Sequence, residues 1–198
     1  MQAEEFWKGS GLEHIVPQGF GQFPEGFDVP EVLRSMADET QYKHVIDFGC
    51  GYGRLCESFA PEKYLGVDIN EKAIAEAKSK FQKHQFSIVT NESLKADLCL
   101  AYSVFLHLSD KALHEALRKL QCKWLLVAEV LGKEWRREGL PPVFNRELTD
   151  YIQICRSHDF ILHKHETREY KRYKEIPWYE GKNTDISFLL FKRCFKSQ

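Results

Sequence analysis

A glycine-rich stretch at residues 44–54 constrains this chain more than any other feature. It reads His-Val-Ile-Asp-Phe-Gly-Cys-Gly-Tyr-Gly-Arg, so an apolar pair leads to an acid, Asp47, and then to a loop with glycine at positions 49, 51 and 53. Glycine allows positive φ and lets a ligand approach without meeting a Cβ. A helical pattern follows, and a helix start offers backbone N–H donors to a polar ligand group. The stretch predicts a buried parallel strand that ends in a tight, ligand-binding turn.

A second apolar run, Tyr64 to Val67, also ends in an acid, Asp68. Asp68 lies 19 residues beyond Gly49, close to the ~20-residue spacing at which an acid contacts a ribose diol. A carboxylate accepts hydrogen bonds from the two hydroxyls more strongly than a neutral amide would. The alternative role for Asp68 is to cap the next helix, for which Asn70 is also available.

These residues resemble the Rossmann-like S-adenosylmethionine-dependent methyltransferases. The first motif of that family is an apolar pair, an acid and G-x-G-x-G, and its second is an acid at the end of the next strand. A nicotinamide-binding loop more often reads G-x-G-x-x-G, and a P-loop has Lys-Ser/Thr after its glycines. The alternative is a sharp strand–helix turn in an unrelated α/β protein. The resemblance covers residues 40–193 and implies a methyltransferase with S-adenosylmethionine as its cofactor.

Apolar periodicity predicts alternating strands and helices. The predicted strands are 44–48, 64–69, 86–90, 97–102, 124–130, 159–167 (with a possible extension to 173) and 185–192. The predicted helices are 30–38, 53–60, 71–81, 110–120 and 145–157. This alternation indicates an α/β fold with buried parallel strands, closed by an antiparallel hairpin. The resemblance implies a seven-stranded Rossmann-like sheet, ordered 3-2-1-4-5-7-6, with strand 7 antiparallel.

Length and composition indicate a single domain. The 198 residues would comprise an N-terminal lid or strap with a helix (1–40) and a Rossmann-like core (41–198). The formal net charge of −1 argues against a nucleic-acid-binding surface as the dominant feature. No apolar stretch approaches the ~20 residues of a membrane span, and the N-terminus lacks the apolar run of a signal peptide. Six scattered cysteines without a C-x-x-C pair favour reduced thiols, a cytoplasmic location and no structural zinc.

Residues 1–30 combine aromatic side chains with glycines and prolines. This composition favours an ordered flap rather than a helix. The flap could be a lid over cofactor and substrate, or a strap whose aromatics merely anchor it to the domain. Both interpretations remain open from the sequence.

Ligands in open α/β sheets bind at the carboxyl ends of the strands, where the strand order reverses. In this chain that point lies between the first and fourth strands. Asp68 would bind the ribose, whereas Asp47 would either order the loop or meet the ammonium group of the ligand. By resemblance, a polar residue after the third strand contacts adenine, although the connection between strands three and four has room for a single helical turn at most. The predicted cofactor-binding residues are Asp47, Gly49, Cys50, Gly51, Gly53, Asp68, Ile69, Asn91, Glu92, Ala101 and Tyr102.

Two residues are candidate catalytic bases. Residues 97–108 resemble the fourth-strand motif of small-molecule methyltransferases, which often ends in His-Leu, as His107-Leu108 does here. An imidazole with an unperturbed pKa of ~6.5 can take a proton from a hydroxyl. The alternative for His107 is an architectural histidine that binds the backbone. Glu129 is the second candidate because it lies at the end of the fifth strand.

The methyl acceptor would contact the lid, residues 132–143 and residues 173–184. The predicted substrate-binding residues are Trp7, Phe20, Trp135, Arg137 and Trp178. Aromatic side chains with arginines suit a polar ring or a phosphorylated metabolite. The opening Glu-Glu-Phe-Trp-Lys-Gly and the stretch 142–147 are similar to methylases of sugar and polysaccharide pathways. We therefore predict methyl transfer to a hydroxyl of a sugar or another polar small molecule.

Two other functions compete with this prediction. Six basic residues within 164–174, counting His165, suggest an RNA or protein methyltransferase, although Glu166 and Glu169 dilute their charge. A cofactor-binding module without turnover is the third possibility. His163 and His165 are expected on one strand face, without a third ligand for a metal. We expect neither a membrane nor a nucleic acid as partner, and the oligomeric state is not readable from the sequence.

Overall fold

The computed structural model describes residues 3–11, 28–132, 141–169 and 185–194. Four of the predicted substrate-binding residues, Phe20, Trp135, Arg137 and Trp178, lie outside the described residues, as does the 173–184 connection.

The described residues form seven strands and five helices. The strands are β1 (Val45–Phe48), β2 (Tyr64–Asp68), β3 (Gln85–Ile88), β4 (Leu94–Tyr102), β5 (Leu120–Val130), β6 (Phe160–Glu169) and β7 (Asp185–Arg193). The helices are α1 (Ala3–Gly9), α2 (Val29–Glu39), α3 (Glu71–Lys80), α4 (Asp110–Lys119) and α5 (Leu148–Arg156). The side chain of Asn70 caps α3, accepting from Ala73 N at 3.0 Å, and that of Ser109 caps α4, accepting from Ala112 N at 3.3 Å. Asn145, expected from its position to cap the last helix, does not, because α5 is capped by Glu147.

The strands form one sheet in the order β3-β2-β1-β4-β5-β7-β6. β1 lies between β2 and β4 and is parallel to both, whereas β7 runs antiparallel between β5 and β6. The prediction of a seven-stranded Rossmann-like sheet is confirmed. The strand order reverses beside β1, so the carboxyl ends of β1, β2 and β4 border a common crevice.

Helices cover both faces of the sheet. α2 and α3 pack with even-numbered β5 residues such as Leu126, whereas α4 and α5 pack with odd-numbered ones such as Leu125. This division follows from the alternation of side chains along a strand. Because both faces are covered, β5 carries seven consecutive buried residues, Trp124 to Val130. None of the described helices has the length and apolar composition that a bilayer crossing requires.

The expectation that the N-terminal region is not helical is wrong at its start, because α1 is a helix. Glu4 and Glu5 lie in its first turn and Lys8 in its last, so the charges of all three interact favourably with the helix dipole and stabilise the helix. Lys8 Nζ also bonds Glu4 Oε1 at 2.6 Å, an i,i+4 pair. The glycines that suggested a flap begin only at Gly9, where the helix ends.

The predicted helix over 53–60 is also wrong. The chain instead makes turns after the glycine loop and two short 3₁₀ segments, Cys56–Ser58 and Pro61–Lys63. Gly53 takes φ +86°, which is not helical, and Pro61 prevents a helix from continuing. Leu55 and Phe59 are nevertheless buried, as their apolar spacing implied.

The expectation that His163 and His165 share one strand face is wrong because β6 contains a bulge. Leu162 pairs with Phe191 and Lys164 with Leu190, so His163 is an additional residue that shifts the alternation. His163 packs against the ring of Trp124, on the face covered by α2. On the opposite face, Nε2 of His165 lies 3.2 Å from the Ser187 hydroxyl.

Candidate functional site

The glycine loop connects the carboxyl ends of β1 and β2. Both Gly49 N and Cys50 N donate to Val67 O, at 2.8 and 3.1 Å. Gly49 has φ +76°, and a Cβ there would lie 2.4 Å from Cγ2 of Val104. Only glycine fits this position, because the loop packs directly against the residues that follow β4.

Asp68 lies at the end of β2 with its carboxylate turned towards the loop. Its Oδ2 accepts from Gly51 N and its Oδ1 from Asn70 N, both at 2.9 Å. Burial raises the pKa of Asp68, while these backbone bonds and the charge of Arg54 oppose the rise. An ionised carboxylate has about four lone-pair sites. The backbone bonds, which include one from Ile69, fix its orientation and leave capacity for a further donor.

Asp47 lies in a different setting. Its side chain is buried, and Oδ2 accepts from the Tyr64 hydroxyl at 2.7 Å. Burial raises its pKa to about 6, although the bond from Tyr64 and the charge of Arg54 lower it. This contact attaches Asp47 to the first residue of β2. Its ordering of the glycine loop and its contact with the ligand's ammonium group both stay predictions.

Arg54 was not predicted as a site residue. Its Nη2 donates to Tyr102 O at 2.8 Å, and its guanidinium lies 4.2 Å from the centre of the Tyr102 ring. It thereby connects the glycine loop to the end of β4, and its charge lowers the pKa values of Asp47 and Asp68. The sequence signal was its position directly after Gly53.

The remaining predicted cofactor residues separate into two groups. Cys50, Ala101 and Tyr102 are buried and Ile69 is partly buried, all at the carboxyl edge. Asn91 and Glu92 are exposed in the five-residue connection that leads back to β4. Asn91 Oδ1 accepts from Nζ of Lys119, a residue that precedes the start of β5. This contact draws Asn91 towards the amino edge of the sheet, and its contact with adenine stays a prediction.

Helix α1 lies across the crevice. Nδ2 of Asn70, which follows β2, donates to Trp7 O at 2.7 Å and to Ser10 O at 3.1 Å. The Trp7 ring meets the imidazole of His107, which follows β4, at a centroid distance of 4.6 Å. Trp7 Nε1 is buried without an acceptor among the described residues. Substrate binding by Trp7 stays a prediction, and the anchoring role of Asn70 was not predicted.

His107 binds the backbone, as the architectural interpretation expected. Its Nδ1 lies 2.6 Å from Pro142 O. A carbonyl oxygen only accepts, so Nδ1 carries a proton and the neutral ring has its lone pair on Nε2. The backbone bond therefore selects the tautomer that a base acting through Nε2 requires.

Glu129, the second predicted base, accepts hydrogen bonds from the turn after β4. Its Oε1 receives the N–H groups of Val104, Phe105 and Leu106 at 2.9, 2.8 and 3.4 Å. Burial raises its pKa to about 8, despite those bonds and the charge of Arg146. Arg146, which was not predicted either, is buried and contacts the same turn. Among the described residues, no group of three or more His, Cys, Asp or Glu side chains is placed to hold a metal.

Comparison with known families gives a match over part of the chain. Residues 46–125 match the family model described as a methyltransferase domain. The match extends from β1 to the middle of β5 and includes the glycine loop, Asp68 and His107. A search of curated protein sequences found no match.

Solved structures share the fold. Magnesium protoporphyrin IX methyltransferase from Synechocystis PCC 6803, with bound SAM, is 15% identical with a TM-score of 0.65, and the alignment covers 98% of each chain. The [4+2]-cyclase SpnF is 16% identical with a TM-score of 0.70, covering 99% of this chain and 98% of that one. Human N-acetylserotonin methyltransferase, in complex with SAM, is 20% identical with a TM-score of 0.62, covering 93% of this chain and 56% of that one. At these identities the likeness establishes the fold.

Proposed function

We propose that this chain, whose residues 46–125 match a methyltransferase-domain model, is a class I S-adenosylmethionine-dependent methyltransferase that transfers a methyl group to a hydroxyl of a polar small molecule. The proposal rests on the position of the Asp68 carboxylate. It lies at the end of β2, is oriented by Gly51 N and Asn70 N, and adjoins the anchor of α1 at Asn70. A ribose diol is the ligand group that this arrangement suits.

The residues present fit the cofactor of this class. Asp68 would accept hydrogen bonds from the ribose hydroxyls through its remaining lone pairs. The loop from Gly49 to Gly53, which includes Cys50, would hold the nucleoside part of the cofactor together with Ile69. Ala101 and Tyr102 would border the amino-acid part. The buried N–H of Trp7 supports this assignment, because an unpaired buried donor costs about 1–3 kcal/mol and is stabilised by a ligand oxygen.

Proximity and deprotonation are the two tasks left to the chain. When bound, S-adenosylmethionine supplies a methyl group activated by the adjacent positive sulfur. The chain must hold the acceptor oxygen in line with that group, and orientation supplies most of the rate. Nε2 of His107 would take the hydroxyl proton, since Nδ1 is already committed to Pro142 O. α1 would cover the crevice and exclude water.

A small acceptor agrees with the charges on the described surface better than RNA does. Lys164 Nζ pairs with Glu39 and, at 2.9 Å, with Glu166, while Arg168 lies 3.5 Å from Asp28. These pairs neutralise the described part of the basic stretch that suggested nucleic-acid binding. A sugar or related metabolite remains our preferred acceptor, and we propose a cytoplasmic location.

The test is titration calorimetry with S-adenosylhomocysteine, with NADH and ATP as controls. We expect binding of the thioether nucleoside alone, and absence of that binding would overturn the proposal. A screen of methyl-labelled cofactor against fractionated metabolites then tests transfer. Binding without transfer to any fraction would favour a module that uses the cofactor site without methylation.

A further inference from the structure

Two buried ionisable side chains meet at the turn between β4 and α4, residues 103–109, which we name the His107 turn. Glu129 is 0% exposed and Arg146 is 4% exposed. They approach the turn from different elements, since Glu129 ends β5 and Arg146 precedes α5. Both side chains bind its backbone, and they bind opposite kinds of groups.

Glu129 holds the N–H groups and Arg146 holds the carbonyls. Oε1 of Glu129 accepts three consecutive backbone bonds, the shortest from Phe105 N at 2.8 Å. Nη1 of Arg146 donates to Phe105 O at 2.9 Å, and Nη2 donates to Leu108 O at 2.6 Å. Phe105 is therefore fixed at both its N–H and its carbonyl, two residues before His107.

The segment that carries Arg146 also contacts His107 directly. Phe144 N donates to Leu106 O at 2.7 Å, and Pro142 O accepts from the imidazole Nδ1. The backbone of the turn and the ring of His107 are thus attached to the same short segment, 142–146. A displacement of Arg146 would carry the partner of the imidazole with it.

A turn that only connected a strand to a helix would not need two buried ionisable side chains, of which Arg146 carries a full charge. Ser109 already caps α4, and burying a charge costs several kcal/mol before it is repaid by its partners. The turn also contains Ser103 at φ +53°, in the left-handed region that serine rarely adopts. Such a conformation persists where the surroundings over-determine it. What the two side chains add is a fixed geometry.

We infer that Arg146 and Glu129 are positioning residues that fix the orientation and the tautomer of His107. Neither side chain needs to touch the acceptor. The orientation and tautomer of His107 can be tested without methyl transfer. The purpose of this arrangement, to present Nε2 as a base, rests on the function proposed above. Glu129 is thereby assigned to positioning rather than to proton transfer.

The experiment is NMR of the full chain with ¹⁵N-labelled histidine, which reports the tautomer and titration of each ring. We compare Arg146→Lys, Glu129→Ala and Glu129→Gln with the wild type. Glu129→Gln keeps an oxygen that can accept from the three N–H groups. We therefore expect its His107 signal to match the wild type, unlike that of Glu129→Ala. In Arg146→Lys and Glu129→Ala we expect mixed tautomers and a titration midpoint shifted by about half a pH unit or more.

Asp110→Asn is the matched control. Asp110 Oδ1 accepts from Arg146 at 2.7 Å, but its side chain is 75% exposed and it binds outside the 104–108 backbone. We expect this variant to keep the wild-type His107 signal. If His107 were unchanged in folded Glu129→Ala, the inference would fail even if Arg146→Lys did not fold. Calorimetry with S-adenosylhomocysteine on the wild type separates this outcome from failure of the proposed function, since lost binding there leaves the NMR result intact.

Discussion

Asp68 and Glu129 are both acids at strand ends, and both accept backbone hydrogen bonds at the crevice. They distribute those bonds differently. Asp68 accepts backbone bonds on both oxygens, which orients the carboxylate and leaves lone-pair capacity for a further donor. Glu129 takes three bonds on Oε1, while its Oε2 is buried without a partner among the described residues.

The difference teaches that position at a strand end does not by itself separate a ligand-binding acid from a structural one. Asp68 is partly exposed and adjoins the glycine loop, so a ligand can reach it. Glu129 has no exposed surface, and its effect on a ligand must pass through the His107 turn. Removing each acid in turn should therefore give separable defects, one in binding and one in the behaviour of His107.

The largest expected effect concerns pH and Glu129. Burial raises its pKa from 4.5 to about 8 in the folded chain. The folded state then holds a proton that the unfolded state has lost, so the free energy of unfolding falls as pH rises from about 5 to 8 and levels off above. By linkage the fall is on the order of 3–5 kcal/mol. Denaturant unfolding at a series of pH values measures it.

Glu129→Gln is the matched variant for that measurement. Its amide does not ionise, so its unfolding free energy should lack this fall. Asp47, with its pKa raised to about 6, contributes a similar but lower-pH decline in both proteins. The difference between the two curves isolates Glu129, and parallel curves would show that Glu129 does not titrate as described.

The second effect lies where the two regions touch. Gly49 of the loop packs on Val104 of the His107 turn, and an alanine Cβ would meet Val104 Cγ2 at 2.4 Å at φ +76°. We expect Gly49→Ala to lower the free energy of unfolding by about 3 kcal/mol, through strain and overpacking together. Gly9→Ala is the control, because nothing lies within 4 Å of its added Cβ. Equal effects of the two substitutions would refute the close contact.

The third effect tests the binding side of the comparison. Asp68→Asn keeps the shape of the side chain but loses its charge. Its amide NH2 also faces a backbone N–H, of Gly51 or Asn70, from which Asp68 accepts a hydrogen bond. We expect affinity for S-adenosylhomocysteine to fall by about 2 kcal/mol, roughly 30-fold. Glu129→Gln should leave that affinity within about threefold of the wild type. If calorimetry gave similar losses for both, the two acids would not have the separate roles described.

The sheet was predictable because its signals are local and repeated. Each buried strand is an apolar run in the sequence. The motif of Asp47, the glycine loop and Asp68 indicates which strand lies where the strand order reverses. The caps at Asn70 and Ser109 follow from side-chain chemistry in the same way. These elements depend on a few neighbouring residues, so the printed sequence contains what determines them.

The missed features depend on contacts distant in sequence. The bulge at His163 appears only in the register of β6 against β7. Arg146 is one of 28 basic residues, and nothing nearby marks it as buried. Its role arises because Phe105, 41 positions earlier in the chain, presents a backbone carbonyl to it. The prediction for α1 failed for a different reason. The glycine and proline content was judged over residues 1–30 together, whereas the favourable charges at the two ends of residues 3–9 stabilise a helix there.

The smallest effect concerns α1, which joins the two regions. Asn70→Asp keeps the oxygen that caps α3 but loses the donor to Trp7 O and Ser10 O. A carboxylate also repels those two carbonyls, so we expect α1 to lose about 1 kcal/mol of docking free energy while α3 stays intact. Hydrogen exchange measured by mass spectrometry should show lower protection in residues 3–11 alone. Asn91→Asp adds the same charge at an exposed position and should leave α1 protected. Unchanged protection in Asn70→Asp would mean that the edge-to-face contact of Trp7 with His107 holds α1, and the helix would then depend on the β4 side of the crevice rather than on both sides.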